Sequence, residues 1–176
     1  MIFNNKIYKF LKSIYNKHYV VGGKMKHKVV INSNLVKFSA CHFLKEPRKC
    51  SRLHGHNYYV SVEIASDLDQ NYFVVDFIEL KKELKSIVEP LDHFVLIPEK
   101  SDDLEIQILG ESVNISTKSG KKYMFPLSEI KFLPLQATTS ELLAKYIYDQ
   151  IKLKYKDKKV KVRIEESKST SAIYED

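Results

Sequence analysis

Between Asn57 and Ala65 apolar side chains fall at every second position, Tyr58, Val60, Val62 and Ile64, which is the period of a half-buried strand. Val29 to Phe38, with Val30, Leu35, Val36 and Phe38 among polar residues, predicts an earlier strand. The stretch from Ser39 to Leu53 is polar and holds Pro47, so it reads as a loop. A hairpin-like return between the two strands would bring His42 near His54 and His56. From Asp76 the period lengthens. Asp76 and Glu79 have capping-box spacing, and Phe77, Leu80, Leu84 and Ile87 form the apolar stripe of a helix that Pro90 ends.

Residues 105–110, 113–118 and 121–125 predict three short strands, the last two joined through Ser119-Gly120. Thr138 and Glu141 suggest a second capping box, opening a helix with Leu143, Tyr146, Ile147 and Ile151 inward. Val160, Val162 and Ile164 alternate in a late strand, with Glu166 at its end and a short strand after it. Neighbouring strands without a strand–helix–strand rhythm predict an α+β fold, an antiparallel sheet with its helices on one face.

A length of 176 residues suits one domain with a core, and 44% hydrophobic content fits a globular chain. No apolar run approaches the roughly 18 residues of a membrane-spanning helix. The net charge of +7 is local rather than general. Residues 1–28 hold seven lysines and no acid; removing those seven from the 29 basic side chains leaves 22, matching the 22 acids. The division expected is a basic extension, residues 1–24, joined near Gly22-Gly23 to a neutral domain, residues 25–176. Phe3, Ile7, Phe10, Leu11 and Ile14 give the extension a helical spacing, read as a peripheral helix or an upstream start, with Met25 the alternative first residue. Nucleic-acid contact by this arm is not expected, since the body is neutral. Two cysteines and no secretory signal point to a reducing, cytoplasmic setting.

The chemistry concentrates in the run from Lys49 to His56, where Cys50 precedes His54-Gly55-His56. In a strand, residues two apart face the same way, so His54 and His56 can share a ligand with His42. Three imidazoles and an open fourth position are the usual catalytic zinc arrangement. Such a cation polarises an oxygen and stabilises an adjacent carbanion, and Cys50, as a thiolate beside it, could move a proton. Asp92-His93 is a second acid–base unit, the carboxylate setting the ring's tautomer. Each feature alone has an ordinary explanation: a structural histidine, an inert thiol, a helix-terminal turn, a solvated Glu166. Cys41 reads as structural, and His18 and His27 have no partners in the sequence.

Together, Phe38-Ser-Ala-Cys-His42, Cys50-x-x-x-His54-Gly-His56-Asn-Tyr58, Val75-Asp-Phe77, Leu91-Asp-His93, Thr139-x-Glu141, and Glu166 with Ile173-Tyr174 resemble the 6-pyruvoyl-tetrahydropterin synthase and 6-carboxy-tetrahydropterin synthase family, in its order and over residues 29–174. The resemblance implies the tunnelling fold: a four-stranded antiparallel sheet with two helices on one face, closing into a barrel as a homotrimer or homohexamer with sites between subunits. It implies Zn2+ on His42, His54 and His56, Cys50, Asp92 and His93 as the proton-transfer set, and Glu166 with Thr139 (or Ser140) on the pterin. The implied substrate is 7,8-dihydroneopterin triphosphate. Three residues between Cys50 and His54 favour the carboxy branch, which releases acetaldehyde and triphosphate towards queuosine or archaeosine. The pyruvoyl synthase reaction and a non-catalytic metal-binding scaffold are the alternatives. A further branch uses a glutamate near this loop, but Glu46 lies outside that spacing. Arg48, Lys49 and Arg52 are candidates for holding the triphosphate. The segment from Ile97 to Leu135 is longer than in compact members.

Overall fold

A computed structural model of the protein describes residues 27–45, 49–167 and 169–176. The basic extension with its glycine junction lies outside the described residues, as do Glu46 and Arg48. The alternating segment forms the longest strand, β3 (His54–Ser66), long enough to take different partners along its length. Its first half pairs antiparallel with β2 (Lys37–His42), and its second half with β1 (His27–Ile31). The segment predicted as one strand is therefore two, separated by a 3-10 turn at Ser33–Leu35. Strand β2 also runs on into what reads as loop, so His42 is a strand residue, directly opposite His54.

On its other side β3 pairs antiparallel with β9 (Lys159–Ser167), and β9 with β10 (Thr170–Glu175). This is the expected four-stranded antiparallel sheet. Two further strands extend it in parallel: β4 (Phe94–Pro98) beside β2, and β8 (Ile130–Leu133) beside β4. Their ladders are short. Strands β5 (Leu104–Leu109), β6 (Ser112–Thr117) and β7 (Lys122–Pro126) form a separate antiparallel sheet, the three predicted strands of the long insertion.

Helices α1 (Phe77–Val88) and α2 (Ser140–Lys154) cover one face of the large sheet. Asp76 caps α1, its carboxylate accepting from the N–H groups of Ile78 (2.7 Å) and Glu79 (3.0 Å). The inward stripe of α1 is Leu80, Leu84 and Val88; Phe77 is 64% exposed because it opens the helix on its outer side. For α2 the cap is Thr139, whose hydroxyl accepts from the Leu142 N–H (3.4 Å). Thr138 is fully buried and serves the site described below. Leu143, Ala144, Ile147 and Ile151 pack onto the face presented by Val60, Val62, Ile64, Val160, Val162 and Ile164. A second apolar cluster, Phe43 with Ile97, Val113, Ile115 and Ile130, joins the small sheet to the large one. Among the described residues no helix is long and apolar enough to cross a membrane.

Candidate metal centre and active site

The alternation of β2 and β3 decides which side chains meet. Phe38, Ala40 and His42 face the helices, as do His54, His56 and Tyr58, while Ser39, Cys41, Gly55 and Asn57 face away. A β-carbon at position 55 would meet the Ala40 carbonyl oxygen at 3.2 Å and Cys41 Sγ at 3.3 Å, so the glycine lets β2 and β3 close at the histidines. His42, His54 and His56 then offer one nitrogen each within 4.8 Å of one another, and these three could hold a metal ion. His42 is buried, the other two half-buried. Their ring centroids lie 4.6 to 5.3 Å apart.

The donor set fits a cation. Nδ1 of His42 lies 2.8 Å from the Thr138 carbonyl, and a carbonyl only accepts, so Nδ1 carries the proton and Nε2 keeps the lone pair that a metal needs. His54 has the same arrangement, with Nδ1 donating to the Arg52 carbonyl at 2.7 Å. Burial holds the His42 pKa down at about 4, against the pull of the Thr138 carbonyl and with help from His54 and His56. A neutral imidazole is the form a metal takes. The hydroxyl of Tyr58, fully buried, sits 3.3 Å from His42 Nε2. Burial, then the nearby Glu166, pushes this phenol well above its ordinary range, so it stays protonated.

Glu166, two residues on from Ile164 in β9, faces the same side of the sheet and interacts electrostatically with His42 and Tyr58. With Ser140, Glu141, Thr170, Ser171 and Ala172 it lines a small cavity of about 120 Å³. The Ser140 hydroxyl is buried there without a protein partner, whereas the Thr139 hydroxyl is engaged as the α2 cap.

Cys50 lies exposed on the loop between β2 and β3, outside the cluster of ligand nitrogens; its carbonyl accepts from the Leu44 N–H (2.8 Å) and closes the loop's base. Asp92 and His93 follow α1 as expected. Oδ1 of Asp92 accepts from the Ser39 N–H at 2.7 Å, and Oδ2 lies 2.9 Å from His93 Nδ1. The Ser39 N–H, then His93, hold the Asp92 carboxyl below its usual range, burial opposing them. The pairing puts the His93 proton on Nδ1 and leaves Nε2 to accept one. His93 has φ +63°, rare for a side-chain-bearing residue, and its N–H donates to the Ser39 carbonyl at 2.6 Å. It lines a cavity of about 510 Å³ with Ser39, Cys41, Asn57 and Glu129. The fold thus gathers His42, His54, His56 and Glu166, while Asp92 and His93 lie across β2 from them, His93 sharing the lining of its cavity with His56.

Thr138 and Tyr58 were not singled out by sequence reasoning as site residues. Tyr58 had a signal, the two-residue step from His56 that puts it on the ligands' face. A buried carbonyl such as that of Thr138 leaves no trace in residue type.

A family model described as 6-pyruvoyl tetrahydropterin synthase matches residues 32–176. The 6-carboxy-5,6,7,8-tetrahydropterin synthase of Aquifex aeolicus is 32% identical over 157 residues, spanning 84% of this chain and 90% of its own. That of Haemophilus influenzae is 30% identical over 109 residues, 59% of this chain and 68% of its own. The solved structure of Plasmodium falciparum 6-pyruvoyl tetrahydropterin synthase superposes with a TM-score of 0.79 at 26% identity, covering 85% of this chain and 97% of that one.

Proposed function

The chain belongs to the 6-pyruvoyl tetrahydropterin synthase family, and on that premise we propose that it is a zinc-dependent 6-carboxy-5,6,7,8-tetrahydropterin synthase. It acts on 7,8-dihydroneopterin triphosphate, releasing acetaldehyde and triphosphate, on the route to 7-deazapurines such as queuosine. The observation that carries the reading is the convergence of three imidazoles, two of them with tautomers fixed by backbone carbonyls, on the sheet face that also bears Glu166. Curated relatives of that name, and the three residues between Cys50 and His54, support the carboxy branch over the pyruvoyl one. Residues 25–176 form the catalytic domain, to which residues 1–24 are appended, and the enzyme works in the cytoplasm.

His42, His54 and His56 hold the zinc, which when bound supplies Lewis acidity to the oxygens of the substrate side chain. Glu166 accepts hydrogen bonds from the 2-amino group and ring N–H of the pterin, and the unpartnered Ser140 hydroxyl beside it, more than Thr139, completes that contact. Thr139 serves by setting the start of α2. Cys50 removes the proton from the activated carbon, and His93, its tautomer set by Asp92, takes or returns a proton through Nε2. The sites lie between subunits of a homotrimer or homohexamer, where one chain's Asp92-His93 pair meets the next chain's zinc.

Incubation with 7,8-dihydroneopterin triphosphate and mass analysis of the products tests the reading. A carboxy-pterin with acetaldehyde is expected; a pyruvoyl-pterin would assign the rival reaction instead. Cys50→Ala is expected to keep its zinc and assembly and to lose turnover by at least about a hundredfold, the usual range for a proton-transfer group. Full turnover in that variant would refute the role of the thiol.

A further inference from the structure

We propose that the small sheet β5–β7 holds the Cys50 loop in its working position, and that Lys121 is the positioning residue through which it does so. This rests on the reading of Cys50 as the proton-transferring thiol. Lys121 leaves the turn between β6 and β7, and that turn is closed from several sides. Gly120 takes φ +87°, its N–H donates to the Thr117 carbonyl at 2.9 Å, and the Thr117 N–H donates to the Lys121 carbonyl at 2.9 Å. The Lys121 N–H donates to Thr117 Oγ1 at 3.1 Å. With its backbone fixed, the half-buried side chain reaches across to the metal loop, where the ammonium donates to the Ser51 carbonyl and to Ser51 Oγ at 3.0 Å.

Ser51 is the residue after Cys50, and the next carbonyl along, that of Arg52, holds Nδ1 of His54. A cation tied to the peptide between Cys50 and Arg52 therefore restrains the thiol and a ligand orientation together. The same sheet grips the other end of the loop. Tyr123, two residues beyond Lys121, stacks on Phe43 with centroids 4.7 Å apart, and Phe43 follows His42. The Leu44 N–H to Cys50 carbonyl bond closes the loop between the two grips. Strands β5–β7 are thus a brace on the segment that joins the first metal ligand to the second.

The test uses the full-length, zinc-loaded protein and Lys121→Met, which keeps most of the aliphatic stem and loses the donors. Zinc content is expected to remain at the wild-type level. The alkylation rate of Cys50 by iodoacetamide, read by peptide mass analysis, is expected to change several-fold, with Cys41 in the same chain unchanged as the internal control. The value of kcat is expected to fall about tenfold with KM within about twofold, the signature of lost positioning rather than lost binding. Lys121→Arg should restore both readouts, because it returns a charged donor. Should Lys121→Met lose its fold, Lys121→Gln answers to the same two readouts with a smaller effect. Wild-type Cys50 alkylation and kcat in a folded variant would overturn the proposal. Alkylation needs no substrate, so failure of the pterin reaction assigned above leaves this test intact.

Discussion

At the residue scale the site depends on which nitrogen of each imidazole carries a proton. His42 and His54 are fixed by backbone carbonyls, of Thr138 and Arg52, so their tautomers do not depend on other side chains titrating. His54 and His56 were legible in the sequence because a one-residue spacing on a strand has a single geometric consequence, and His42 through the return of the chain between the two strands. Their supports were not, since any residue supplies a carbonyl. Asp92 gives a pH test. Its folded pKa lies below the unfolded value of about 3.9, so its contribution is present above that value and lost as pH falls through the folded one. Asp92→Asn keeps an acceptor for the Ser39 N–H and removes the charge. Thermal melts from about pH 7 to about pH 3 are expected to place the variant below wild type at neutral pH, the gap closing on the acid side. A gap that stays constant across that range would mean that the carboxylate's charge adds nothing.

At the element scale, the pieces read correctly were those with a clean period. The alternation of β3 and β9, and the helix after Asp76, follow directly from spacing. Strands β4 and β8 escaped because they are short and pair in parallel, β4 within the sheet and β8 at its edge. Phe94-Val-Leu-Ile-Pro98 is a continuous apolar run without polar punctuation, which periodicity cannot assign. The second helix was found but its cap misplaced by one residue, since Thr138 and Thr139 are equivalent in type and only the fold buries the first. The first cap is a firmer test. Asp76 satisfies two otherwise unpaired N–H groups, and its carboxylate sits at the positive end of the helix dipole. Asp76→Ala is expected to lower unfolding stability by about 1 kcal/mol, read as a lower urea midpoint with unchanged slope. Asp76→Asn should recover most of it, and equal losses in both variants would show that the cap is not the cause.

At the scale of the whole molecule, the two halves of the proposed chemistry lie on either side of β2. Phe94, next to His93, and His56 flank Ala40 on opposite sides, two strand spacings or roughly 10 Å apart. His93 is 81% exposed and occupies a costly backbone conformation, the kind of strain that clusters at functional sites. The sheet also ends at β10, whose outer edge has no partner among the described residues and carries the half-exposed Ile173. An edge-to-edge ring of subunits would cover that edge, and the proposed function has it bring Asp92-His93 to a neighbour's metal ligands. Subunit mixing distinguishes this from a self-contained site. Cys50→Ala and His93→Ala homo-oligomers should each be inactive. If the thiol and the imidazole come from different subunits, random co-assembly gives each site an even chance of an intact thiol and an independent even chance of an intact imidazole. The mixture should then regain about a quarter of wild-type activity. If both groups come from one chain, every site in the mixture carries one defect or the other and activity stays at background, which would return the whole reaction to the single subunit.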